Sequence, residues 1–129
     1  MPMAAGTHIA VTDLRLAYGT REVIHGISFA VRRHEIFGII GPAQSGKTSL
    51  LRCLNRTVDF IPKTHVSGTI LVDGRNVLKS GDVHGLRRKI GMVAPLPVGL
   101  PLTIYDNVAF APRCSGMNKR SDLDGLVEK

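Results

Sequence analysis

Between Ile9 and Leu16 apolar side chains alternate with polar ones, the apolar set being Ile9, Val11, Leu14 and Leu16. A period of two is that of a half-buried strand, and Tyr18-Gly19 closes it with a turn. Partial alternation returns from Val23 to Val31, with Ile27, Phe29 and Val31 on one face. The run Ile36-Phe37-Gly38-Ile39-Ile40 has no polar alternates. It predicts a strand buried on both faces, as in a parallel sheet. Leu50, Leu51 and Leu54 fall with Lys47 at helical i, i+3, i+4, i+7 spacing, which predicts a helix running on from Thr48. The stretch from Val66 to Leu78 predicts a hairpin, with Asp73-Gly74 as its turn.

Val83–Lys89 predicts a short basic helix whose last turn holds Arg87, Arg88 and Lys89, where cations suit the helix dipole. Ile90-Gly91-Met92-Val93 predicts a second buried strand. Residues 94–103 carry Pro95, Pro97 and Pro101 and predict an extended loop. Thr103 caps a short helix over 104–110 that Pro112 should end. The remainder is polar, with weak helical character at Leu123, Leu126 and Val127.

Composition narrows the classes. The 129 residues amount to one domain or a piece of a larger one, and 43% hydrophobic with 21% charged residues excludes general disorder. The longest apolar run has five residues, far short of the about 20 needed to cross a bilayer. The first residues lack the charged and apolar regions of a secretory signal. Two cysteines, Cys53 and Cys114, make no disulfide framework and no C-x-x-C pair for zinc, and His8, His25, His34, His65 and His84 fall at no ligand spacing. A reducing, cytoplasmic compartment fits. The net charge is +7, and residues 31–90 hold 11 of the 17 basic but 4 of the 10 acidic residues. A basic middle suits an anionic partner, or is simply a solvated face. Nucleic acid binding has only this charge in its favour.

The sharpest chemistry lies at Gly41-Pro42-Ala43-Gln44-Ser45-Gly46-Lys47-Thr48, which fits G-x-x-x-x-G-K-[ST], the P-loop pattern. Such a loop needs a strand before it and a helix after it, and both are predicted here. The glycines let backbone amides approach phosphate oxygens, and the helix start carries partial positive charge. Lys47 adds a full charge for the terminal phosphates, and the Thr48 hydroxyl suits magnesium. Ser49, one residue further, suits capping or packing, at the edge of the same cofactor-binding stretch. Tyr18 is either a half-buried aromatic at a strand end or a flat surface for a nucleobase. Asp73 also has two readings: a hairpin turn, or the carboxylate ending a magnesium-binding strand; the Asp-Gly pair favours the turn.

Taken together, Tyr18, the P-loop, the hairpin at 68–74, Leu86-Arg87-Arg88, Ile90–Val93 and Thr103–Val108 resemble the N-terminal half of an ABC transporter ATP-binding cassette. The resemblance covers residues 8–127. More narrowly, Leu51–Arg56, Asp59–Pro62 and Ile104–Ala109 are similar to the ATP-binding subunit of the phosphate importer. The resemblance implies an α/β fold class: a truncated P-loop NTPase core with a RecA-like parallel sheet, an ABC-type antiparallel β subdomain and a helical subdomain. It implies ATP and Mg2+ as cofactors, Tyr18 as the aromatic that stacks on adenine, and residues 41–48 as the Walker A loop. The implied partners are transmembrane permease subunits and a second cassette, at the inner face of the cell membrane.

Two departures stand out. Pro95 occupies the place of the family's glutamine, which contacts magnesium, the attacking water and the membrane subunits. No signature L-S-G-G-Q sequence, Walker B strand or switch histidine occurs in these 129 residues. They therefore read as a partial cassette, expected to hold nucleotide without turning it over. A GTPase reading fails because Asn118-Lys119-Arg120-Ser121 lacks the aspartate of N-K-x-D, and Asn76 stands where D-x-x-G after Asp73 needs glycine.

Overall fold

The computed structural model describes residues 6–96 and 98–128. The chain forms two compact units, Met1–Met92 and Val93–Lys129. In the first, β1 (Thr7–Tyr18), β2 (Arg21–Arg32), β3 (Thr64–Val72) and β4 (Arg75–Asn76) make an antiparallel sheet in the order β2-β1-β3-β4. Between β2 and β3 lie α1 (Lys47–Leu54) and a 3-10 turn at Thr57–Phe60, and α2 (Val83–Lys89) follows β4. The second unit pairs α3 (Ile104–Cys114) with α4 (Arg120–Val127). No helix among the described residues is long and apolar enough to cross a membrane.

Turn chemistry sets the hairpins. Tyr18 pairs with Arg21 across Gly19-Thr20, and Val72 pairs with Arg75 across Asp73-Gly74. Asp73 and Gly74 both have positive φ, 49° and 76°, as the two-residue hairpin turn demands. Asp73 accepts a hydrogen bond from His8 and an ion pair from Arg33. The His8 hydrogen bond, helped by the Arg33 charge, holds the carboxyl below its usual range.

The core lies on one face of the sheet, where Leu14, Leu16, Ile70, Cys53 and Val58 are fully buried. β1 reaches it with a change of phase, because Val11 faces inward at an odd position and Leu14 and Leu16 at even ones. The register shifts between Val11 and Leu14, and Asp13 adopts a φ of 44° there. This is a β-bulge, and Gly68 of β3 packs against the Asp13 backbone. On α1 the inward residues are Leu50, Cys53 and Leu54, and Leu51 is exposed. Cys53 thus takes the place expected for Leu51. Arg87 of α2 donates to the Asn55 and Arg56 carbonyls beyond the end of α1 and lies 4.5 Å over the Phe60 ring.

Three local expectations change. Residues 36–40 form no strand, with Ile36 100% and Ile40 96% exposed. A strand buried on both faces needs neighbours on both edges, and no described segment pairs with this one. Phe37 stacks on Phe29 at 5.1 Å, and Ile39 packs on the core, so only part of the run finds cover. Ile90–Val93 is unpaired for the same reason, with Val93 95% exposed. Pro112 lies inside α3 rather than ending it. Its fixed φ suits a helix, and its cost, a missing N–H and a ring that crowds the carbonyl four residues back, falls near the end of α3. Ser115 closes that end by donating to the Ala111 and Pro112 carbonyls. Of the proline loop, Pro97 lies outside the described residues; the rest is irregular as expected.

Candidate functional site

The loop at 41–48 joins residues 36–40 to α1, and its shape follows from a few contacts. Gly46 precedes α1 with a φ of 90°, a left-handed conformation that costs a side-chain-bearing residue about 1–2 kcal/mol. A Cβ at Gly46 would also lie 3.2 Å from the Val23 Cγ1 and carbonyl oxygen of β2. The loop therefore sits against the sheet through a backbone without a side chain. Ser45 N–H donates to the Pro42 carbonyl at 3.4 Å, turning the loop.

Lys47 is the first residue of α1, yet its side chain reaches back over the loop. The ammonium donates to the carbonyls of Gly41 at 2.8 Å and Pro42 at 2.6 Å, and to Ser45 Oγ at 3.3 Å. Its three protons are thus all bonded within the loop. Among the described residues no carboxylate lies within salt-bridge distance of it.

Beside the loop opens a cleft of about 410 Å³, lined by Tyr18, Arg21, Val23 and residues 44–49. That volume falls within the about 300–1,000 Å³ of small-molecule sites. The structure brings Tyr18 to Gln44, Ser45, Gly46, Lys47, Thr48 and Ser49, although it precedes them by more than 25 positions. Tyr18 donates its hydroxyl proton to Ser49 Oγ at 3.1 Å. Gly41 and Pro42 line a neighbouring recess with Ile39, Ile40 and Leu50, and Ala43 is exposed and lines neither. Arg21 and Val23 went unrecognised in the sequence. The signal for Arg21 was the two-residue turn at Gly19-Thr20, which sets it opposite Tyr18.

The donor set fits a polyphosphate: a helix start, a lysine and Arg21, all lining the cleft. A magnesium ion would find one protein ligand here, the Thr48 hydroxyl; the lining holds no carboxylate. Among the described residues no cluster of His, Cys, Asp and Glu is placed to hold a metal. Asp73 lines a separate recess with Val77, Asp82 and Leu86, and its turn geometry accounts for it. Pro95 is exposed in the second unit.

Comparison with known proteins agrees with this arrangement. A family profile described as ABC transporter matches residues 24–129. Among solved structures, a bacterial Atm1-family ABC exporter with ATP bound is similar, with 28% sequence identity and a TM-score of 0.70. The similarity covers 84% of this chain and 18% of that one, so the chain spans under a fifth of the exporter's length. With most of its residues inside the family profile, this chain belongs to the ABC transporter family, as an ATP-binding domain of the P-loop NTPase fold.

Proposed function

We infer that residues 8–127 form part of the nucleotide-binding domain of an ABC importer for inorganic phosphate, and that the cleft beside the loop takes MgATP. The observation that carries the nucleotide reading is the shared cleft, lined by an aromatic ring and by a glycine-lysine loop at a helix start. Tyr18 would carry the base, and residues 41–49 the phosphates, with Lys47 leaving its loop partners for phosphate oxygens. Magnesium, arriving with the nucleotide, would be held by the Thr48 hydroxyl and would neutralise phosphate charge. The importer and phosphate readings rest on the motifs Leu51–Arg56, Asp59–Pro62 and Ile104–Ala109; the solved relative is an exporter. Permease subunits and a second cassette would be the partners, at the inner face of the membrane.

Binding is tested by ATP calorimetry on the purified chain. Lys47→Ala deletes a charge-assisted hydrogen bond of about 1.5–3 kcal/mol, so affinity falls about 10- to 100-fold. Equal affinity in both proteins rejects the site. A second reading, binding without turnover, is favoured by the carboxylate-free lining, since hydrolysis needs an oriented water. Phosphate release by the same samples then stays at the Lys47→Ala background. The solute is tested by disrupting the gene in its host: loss of uptake at low external phosphate supports import, and unchanged uptake rejects it.

A further inference from the structure

The first turn of α1 and the end of β1 are joined by one side-chain contact, Tyr18 Oη to Ser49 Oγ. Both side chains are half-buried. Among the described residues Ser49 Oγ has no other hydrogen-bond partner. It therefore neither caps α1 nor bonds back to a carbonyl of its own helix, the usual occupations of a helical serine. Tyr18 is fixed at its other end too. It is the last residue of β1, and the next N–H, that of Gly19, donates to the Lys63 carbonyl at 2.7 Å. The backbone is thus pinned by the sheet and the ring tip by α1.

The geometry points to Ser49 as a positioning residue: its hydroxyl holds the Tyr18 ring at a set orientation and distance from the phosphate loop before any ligand arrives. This rests on the nucleotide reading given above and deepens it. A phenol ring turns about two side-chain bonds, and an untethered ring must be ordered when a base stacks on it. Ordering it beforehand removes that cost from binding. Ser49 follows Lys47 and Thr48 in the same helical turn. One rigid element then carries both the phosphate contacts and the strut that sets the base platform. The spacing between platform and cradle becomes a property of the free protein. The contact needs the tyrosine hydroxyl; phenylalanine would supply the ring without the strut.

The experiment measures affinities of the whole chain for ATP and for inorganic triphosphate, and reads their ratio. The proteins are wild type, Tyr18→Phe, Ser49→Ala and the double variant. Tyr18→Phe and Ser49→Ala should each lower the ATP-to-triphosphate ratio about 3- to 10-fold, and the double variant should lower it no further. A defect in folding would weaken both ligands together and leave the ratio alone. A ratio unchanged in Tyr18→Phe, or effects that multiply in the double variant, would overturn the proposal. Tyr18→Ala separates the two readings. If it lowers the ratio and the other variants do not, stacking stands and the strut falls. If even Tyr18→Ala leaves the ratio unchanged, the base platform itself is wrong and the strut falls with it.

Discussion

At Gly46 two constraints meet in one residue, a φ of 90° and a β2 neighbour, Val23, that a Cβ would crowd at 3.2 Å. The spacing of the P-loop pattern made this glycine legible, because the pattern encodes backbone geometry directly. Cys53 was not legible. A small side chain between leucines carries little periodic signal, yet it is among the five most fully buried side chains. Burial, with the Asp59 charge nearby, pushes its thiol from 9.0 up to about 11. Cys114 is exposed. The thiolate is the reactive form, so at pH 8 a disulfide reagent should modify one thiol of the native chain quickly. The second should appear only on unfolding. Two fast thiols in the native protein would contradict the packing of α1. The sign is the same for stability: Cys53 favours the folded state below pH 9 and loses that contribution as pH rises toward its folded value.

Among the elements, those set by local chemistry could be read and those set by partners could not. The hairpin at Asp73-Gly74 needs only two residues at positive φ, and an Asp-Gly pair announces them. The α2 helix keeps its expected bounds because Asp82 caps it, accepting from the Gly85 N–H. Residues 36–40 and 90–93 have strand-like composition, but a strand exists through its ladder, and the sequence of one segment does not state its neighbours. The β1 bulge lay between these cases. The apolar positions 9, 11, 14 and 16 change parity, and that skip is the signature of one extra residue. Two glycines of β3 and its turn test this geometry. A Cβ at Gly68, where φ is 98°, would lie 2.3 Å from the Asp13 carbonyl oxygen. At Gly74, with φ 76°, it would meet nothing within 4 Å. Gly74→Ala should cost about 1–2 kcal/mol of unfolding free energy, the backbone term alone. Gly68→Ala should cost about 2–4 kcal/mol, because overlap with the bulge is added. Equal losses in denaturant melts would mean that the two strands are not as close as described.

For the molecule as a whole, apolar surface is unevenly placed. Ile36 and Ile40 stand in solvent beside a core whose central residues are fully buried. An unpaired run with exposed branched side chains is a site for chain-to-chain association. Ile36→Lys should lower light scattering in concentrated samples while leaving the melting temperature within about 2 °C of wild type, since Ile36 makes no buried contact to lose. A large fall in melting temperature would show that Ile36 is packed after all. The charge of +7 does not prevent such association locally, because no Lys or Arg occurs between Glu35 and Lys47.

The folded-back Lys47 has a consequence for which ligands the loop accepts. With Gly41, Pro42 and Ser45 already satisfying its ammonium, an arriving anion must outbid three internal acceptors rather than fill a vacancy. A single phosphate group, with few oxygens and a tightly held hydration shell to give up, would gain little from that exchange. A chain of phosphates can replace the lost bonds and still hold the amides at the helix start. On the nucleotide reading, the selectivity of the loop would reside in what the lysine gives up, and short anions would compete poorly with the protein's own carbonyls.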